Sequence, residues 1–333
     1  MRKKIKLIIY LLFFILIIFY PIIENNDYRL YIMNRALIHS ILASGLVFLT
    51  GFAGQISLCQ AGFYGIGAYT SGILTVKFNI PIPIGIILGT VLSLIAGLIL
   101  SIPSFKLKAF FLGLVTIAFG QVTWLLISNL QSITGGPHGF FGIPLMHFGK
   151  FIFNNEVYYY IFLIILILTI IIMYRIKHSY LGRSMFAIND DDVAAETCGI
   201  NSRKGKTFAF GFSAALAGLA GGLYAHMAGF LSPEPFVFFE SSNFVAMAII
   251  GGLRHISGGV IGGVGLTFLP EFLRLNYRGW ENYYLVFTSF IILLIIIFLP
   301  NGLGPLLFKG LGKLWKENKM SSQTIKNGKK SKE

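Results

Sequence analysis

Charge is what this 333-residue chain has least of: 12% of its residues are charged and 55% are hydrophobic. Soluble domains carry about 25% charged residues, so a soluble globular fold is excluded. Several apolar runs reach the roughly 20 residues that cross a bilayer. They are apolar throughout, without the alternation a transmembrane β-barrel needs. Acids are scarcer still, 13 in all, with none between Asp27 and Glu156. Proton- and ion-coupled carriers draw on intramembrane carboxylates. The gap argues against such a carrier, although sodium sites built from backbone carbonyls need no acid. Two cysteines, Cys59 and Cys198, are too few for a disulfide framework or a metal cluster. The six histidines lack metal-ligand spacing; His39 and His226 fall inside apolar runs and read as packed, hydrogen-bonded residues. There is no G-x-S-x-G and no HExxH. Gly205-Lys206-Thr207 looks like the end of a phosphate loop, but Ile200 stands where that pattern requires glycine. The sequence therefore reads as no enzyme, with no metal and no cofactor of its own, so its energy comes from a partner or a gradient.

What is present is a polytopic helical bundle. Ten candidate spans run at about 7–23, 30–50, 61–76, 82–102, 109–130, 157–174, 207–230, 242–253, 256–272 and 282–299. The first follows MRKKIK and lacks a small-x-small cleavage site, so it reads as an uncleaved span rather than a signal peptide. Gly251-Gly252-Leu253-Arg254-His255 divides the short eighth and ninth. With the N-terminus inside, only Arg29, Arg35, Lys77, Lys150, Arg274 and Arg278 of the 27 basic residues fall outside. That bias favours ten spans with both termini cytoplasmic. The net charge of +14 serves topology and not nucleic acid, since the bases are not gathered beside stacking aromatics. The organisation is a basic segment and first span over 1–29, a transmembrane domain over 30–308 and a lysine-rich tail over 309–333 that reads as disordered. Gly85/Gly89, Gly218/Gly222, Gly258/Gly262 and Gly259/Gly263 are each four apart, on faces that let helices approach closely.

Three polar segments stand out. Residues 50–69, TGFAGQISLCQAGFYGIGAY, place glycines beside Gln55, Ser57, Gln60, Gly62 and Tyr69. Broken backbone at membrane depth is tolerated only where protein or water satisfies it. This segment is either the lining of a translocation path or an ordinary kinked turn. Ile133-Thr134-Gly135-Gly136-Pro137-His138-Gly139 has the composition of a tight turn; Thr134, Gly135 and Gly136 are candidates to meet a substrate or a docked partner. Leu181–Lys206 holds four of the 13 acids and falls on the cytoplasmic side. Within it, Asn189 or Asp190 can cap a short helix. Asp191, Asp192 and Glu196 suit its dipole, Val193, Ala194, Ala195 and Cys198 give a small apolar face, and Gly199 is a natural stop. Such a helix fits a groove on another protein.

GRSMFAINDDDVAAETCGIN, running into KTFAFGFSAALAGLAGGLYAHMAGFLSPEPF, resembles the inner-membrane permeases of branched-chain amino-acid ABC importers of the LivM type. GFAGQISLCQAGFYGIGAYT, ITGGPHG and FLPNGLGPL resemble them in the same order, over roughly residues 36–307. The resemblance implies a multi-pass protein of the bacterial cytoplasmic membrane that imports leucine, isoleucine or valine. It implies separate ATP-binding subunits carrying ATP and magnesium, a second homologous permease and an extracytoplasmic solute-binding protein. It also makes 175–206 the coupling loop, with Gly182, Arg183, Asn189, Asp190, Asp191, Asp192, Ala194, Ala195, Glu196 and Gly199 at the ATPase. Asn189 stands where the family's loop often has a base. Bulky residues at Ala194 and Ala195 are expected to uncouple ATP hydrolysis from uptake. The similar urea or short-amide permeases, and less closely an ion-coupled carrier, are the alternative readings.

Overall fold

The computed structural model describes residues 19–22, 24, 26–104, 109–148, 151–276, 284–298 and 302–304. Twelve α-helices carry almost all of it: α1 (Asp27–Leu46), α2 (Gln60–Lys77), α3 (Ile82–Ser104), α4 (Ala109–Asn129), α5 (Gln131–Thr134), α6 (Asn155–His178), α7 (Tyr180–Asp190), α8 (Asp192–Thr197), α9 (Ser202–Ala228), α10 (Phe238–Gly251), α11 (Ser257–Asn276) and α12 (Tyr284–Phe298). A two-residue antiparallel hairpin, β1 (His147–Phe148) with β2 (Phe151–Ile152), precedes α6. By length and composition, five helical stretches can cross a membrane: Asp27–Phe52, Ile82–Pro103, Phe111–Asn129, Asn155–His178 and Ser202–Ala228. The expected run 7–23 lies outside the described residues, apart from its last few. The other nine runs each fall on a helix. Helix α2 is too polar for the apolar criterion, and α10 is only 14 residues long.

The core forms around α1, α2 and α9. Asn26 caps α1 by accepting from the Tyr28 amide at 3.0 Å. The helix is buried over nearly all its length, down to Phe48 and Phe52, so it runs through the bundle and not along its rim. It packs on α11, α6 and α9. Helix α9 packs on α3 and α2. The glycine pairs explain the closest of the helix approaches, including that of α11 to α10. A Cβ on Gly259 or Gly263 of α11 would come within 2.5–2.6 Å of Ser44 or Ser40 of α1. One on Gly218 would meet Ser93 at 2.3 Å, and one on Gly262 would meet the Met247 carbonyl at 1.7 Å. Ser40 and Ser44 turn their hydroxyls back onto the Ala36 and Ser40 carbonyls, and Ser40 also reaches the Val260 carbonyl of α11 at 3.4 Å, so small side chains let α11 lie close. Packing of this kind replaces the hydrophobic drive that lipid does not provide.

Two helices begin inside the bundle. Below α1 the chain widens into a π-turn, Val47–Phe52, and then leaves helical geometry until Gln60. Gln60 opens α2 and donates to Ser213 Oγ at 2.7 Å. Ser213 lies 11 residues into α9, about 16 Å from its Ser202 end at 1.5 Å per residue. The second case follows α9. After Gly229 the chain returns inward through Glu234–Phe236 and starts α10 at Phe238. Phe236 packs 5.4 Å from Tyr64, and Ser241 Oγ accepts from the Ala61 amide at 3.0 Å. The two interior helix starts therefore face each other.

Candidate functional site

The first part of the site is a handle at the Ser202 end of the bundle. Ser179 caps α7, accepting from the Gly182 amide at 3.3 Å. Gly182 is glycine because a Cβ would fall 2.2 Å from the Ile176 carbonyl, and Arg183 reaches back to the His178 carbonyl at 3.0 Å. The cap of α8 is Asp191, one residue past the expected Asn189 or Asp190, which belong to the end of α7. Asp191 Oδ1 accepts from the Val193 and Ala194 amides, both at 3.0 Å. Gly199 ends the unit at φ +80°. Six residues cannot hold a helix in isolation, so α8 depends on its anchors. Asp192 pairs with Lys206 at the base of α9. Burial pushes the Asp192 carboxyl up, but the Lys206 ammonium outweighs it and holds the group below the ordinary carboxylate range. Ala195 is buried, at 4% exposure, while Val193, Ala194 and Glu196 face out. The outward face is therefore Val193, Ala194, Glu196 and Thr197, and Ala195 does not belong to it.

The residues just before α8 reach the break after α1 and the turn between α10 and α11. Asn189 Nδ2 donates to the Gly51 carbonyl at 2.9 Å. Gly54, at φ +66°, has no room for a side chain, since its Cβ would lie 2.5 Å from Asn189 Oδ1. Asp190 pairs with Arg254 at 3.1 Å, in the turn between α10 and α11. A Cβ on Gly51 would strike the Leu253 carbonyl at 1.7 Å, and one on Gly302 would come within 2.5 Å of Gly252. The glycine motif, the polar island, the Gly251–His255 divide and Gly302 thus meet in one place. An exposed pair such as Asp190–Arg254 contributes about 0–1 kcal/mol, so its value is register more than stability.

The remaining sequence candidates sit higher. Gln55 is buried with its side-chain oxygen unpartnered, and so is the Gln60 oxygen. Ser57 lies 3.2 Å from Cys59 Sγ. Gly62 lets α4 approach at Gly120. Tyr69 is buried with an unpartnered hydroxyl beside Phe236. Thr134 Oγ1 is committed to the Ile127 and Leu130 carbonyls. Gly135 and Gly136 take φ +77° and +60°, making a rigid turn whose continuation, Phe140, bonds to Leu231. His226 uses both ring nitrogens, on Ser71 and the Pro144 carbonyl, each at 2.8 Å.

The second part of the site is one the sequence reading missed. Two adjoining cavities of about 280 and 210 Å³ share Arg35, His39 and Glu240. Arg35 was counted with the outer segments, yet it lies eight residues into α1, about 12 Å from the Asp27 end. Glu240 was placed before its span, but α10 begins at Phe238. Among the described residues neither forms an ion pair. Arg35 Nε is buried without a partner, and Glu240 accepts only a long bond from Asn243, 3.4 Å. Tyr64, 1% exposed, also leaves its hydroxyl unpartnered here. A basic side chain at membrane depth costs about 2.5–3.5 kcal/mol on insertion scales. A lone charge in a long apolar run is the signal that would have found both residues.

Residues 28–298 match the family model described as the branched-chain amino acid transport system / permease component. The LivM permease protein of the high-affinity branched-chain amino acid transport system of Salmonella typhimurium is 29% identical over 303 residues, 83% of this chain and 69% of that protein. A probable branched-chain amino acid permease, LivH, of Methanocaldococcus jannaschii is 27% identical over 303 residues, covering 85% and 95%. The ribose import permease RbsC of Haemophilus influenzae is 25% identical over 292 residues, covering 85% and 88%. No solved structure matches. With five helices able to cross a membrane and a match over four-fifths of its length, this multi-pass membrane protein belongs to the branched-chain amino acid transport permease family.

Proposed function

We propose that the chain is the transmembrane permease subunit of an ATP-driven importer for branched-chain amino acids. It works with ATP-binding subunits that hold ATP and magnesium, with a second homologous permease and with an extracytoplasmic solute-binding protein, in the bacterial cytoplasmic membrane. The chain itself does no covalent chemistry. Ten spans with both termini cytoplasmic put α7 and α8 on the ATPase side, and the cavity at Arg35 and Glu240 toward the binding protein. One observation carries this reading: α8 presents Val193 and Ala194 outward beside Glu196 and Thr197, while the residues before it grip the break after α1 and the α10–α11 turn through Asn189 and Asp190. When the ATP-binding subunits close, α8 is displaced, Gly51 passes the shift to the break before α2, and Arg254 passes it to the turn that joins α10 and α11.

The test is reconstitution of the full complex with Val193→Trp or Ala194→Trp. Both side chains point away from the bundle, so the spans should assemble normally. Leucine uptake should fall at least tenfold. Wild-type uptake in both variants would remove α8 as the docking element. Uptake that persists without ATP and without ATPase subunits would remove the ABC reading itself.

A further inference from the structure

We propose that Arg35 and Glu240 form a subsite for a zwitterionic amino acid on its way through the permease, Arg35 taking the carboxylate and Glu240 the ammonium. The proposal rests on the reading above and names where the substrate sits. Four observations point to it. Arg35 and Glu240 both line two adjoining cavities, which Glu234, Glu271 and Arg274 line in part, without closing on each other as an ion pair. Among the described residues each is left with free hydrogen-bonding capacity: a buried Arg35 Nε with no partner, and a Glu240 carboxylate held by the 3.4 Å bond from Asn243.

The walls around the pair mix apolar and polar groups: Glu234 also lines one cavity, and Asn243, Thr267, Glu271 and Arg274 the other, while the apolar share comes from a few large side chains. Phe244, Tyr64 and Tyr224 line one cavity, and Ile32, Met247 and Leu266 the other. A fixed cation, a fixed anion and an apolar flank are the complement of an α-amino acid with a hydrocarbon side chain. An uncharged solute, whether urea, a short amide or a sugar, brings no charge of its own to meet either group. Finally, the cavity lies where the two interior helix starts meet. Secondary transporters place their substrates at discontinuous helices of this kind, and the same geometry is present here. His39 adds no charge to the argument. Its Nδ1 is bonded to Thr267 Oγ1 at 2.9 Å and its ring rests on Phe244.

Two measurements test the pair. In proteoliposomes of the complete complex, with subunit amounts matched by co-purification, Arg35→Gln and Glu240→Gln should each lower leucine uptake at least tenfold. Arg35→Lys should lower it less than Arg35→Gln. Normal uptake in both glutamine variants, beside a wild-type complex that carries leucine, would overturn the subsite and leave the amino-acid reading standing. A wild-type complex that carries urea or a sugar but no amino acid would overturn that reading and the subsite with it. The second measurement keeps both charges. In a Phe239→Cys complex the new thiol lies at the cavity wall, and 1 mM leucine should slow its alkylation by N-ethylmaleimide at least threefold. Leucinamide, which lacks the carboxylate, and N-acetylleucine, which lacks the ammonium, should not. Equal protection by all three, or by none, would overturn the pairing even if the glutamine variants fail to assemble.

Discussion

At the scale of single residues, Asn189 is the one whose role changed most. The resemblance expects a base at this position, which made it the weak point of a docking surface. The structure turns its amide inward, onto the Gly51 carbonyl and against the bare Cα of Gly54. It therefore acts within the chain, as the link between α7 and the broken backbone after α1. Asn189→Ala removes one part-buried hydrogen bond, worth about 0.5–1.5 kcal/mol. Uptake per ATP hydrolysed in proteoliposomes should fall several-fold while the complex still assembles. Asn189→Asp should do worse, because it sets a carboxylate against a carbonyl it can no longer donate to. An unchanged coupling ratio in both would show that the link carries no motion. Asp191 makes a more local prediction. Losing its two cap bonds costs about 1 kcal/mol, and Asp191→Ala should speed hydrogen exchange at the Val193 and Ala194 amides by about fivefold. That a capped helix lay here was legible from its acids and from Gly199. Which acid did the capping was not, because Asn189, Asp190 and Asp191 are all good caps and only the path of α7 decides among them.

At the scale of elements, α8 is held to α9 by Asp192 and Lys206, and the sign of its pH response follows. The folded carboxyl sits below its unfolded value. The pair's contribution is thus complete above the unfolded carboxylate range and is lost as pH falls through the folded value. Protease cleavage within 190–201 should stay slow from pH 8 down to about 5 and accelerate only below the carboxylate range. Asp192→Asn should abolish that acid dependence and show faster cleavage at pH 7. The α1–α11 contact responds to volume and not to charge. Gly259→Leu or Gly263→Leu would drive a side chain into Ser44 or Ser40, which can retreat only by moving the α1 backbone. Overpacking of this sort costs about 1–3 kcal/mol, and the purified protein should melt several degrees lower. Spacing alone made these glycine faces legible. The partner of each face was not, because the residues that oppose Gly259 and Gly263 lie more than 200 positions earlier in the chain. The interior starts of α2 and α10 were only half legible for the same reason. Glycine and polar side chains at 50–60 announced a break, but its depth is fixed by Ser213 and Ser241, which periodicity cannot pair with Gln60 and Ala61.

At the scale of the whole molecule, the chain's own two cysteines can report which side of the membrane α8 faces. Cys198 is exposed at the end of α8, while Cys59 is fully buried against Ser57. A membrane-impermeant maleimide should therefore reach Cys198 alone, without any engineered site. If Leu181–Lys206 is cytoplasmic, intact cells should show no labelling and inside-out vesicles should show labelling at Cys198. The charge bias that sets this orientation counts bases in short connections, and it is independent of the fold. Arg35 was one of the six bases assigned to the outside, and moving it into α1 makes that bias stronger. Docking gives the same thiol a second reading. Cys198 follows Thr197 at the edge of the outward face, so bound ATP-binding subunits should slow its labelling at least threefold in the vesicles. Labelling from the outside would invert the topology and place the Arg35–Glu240 cavity on the cytoplasmic side. Labelling from the inside, at a rate the ATP-binding subunits do not change, would keep the topology but move the docking surface away from α8.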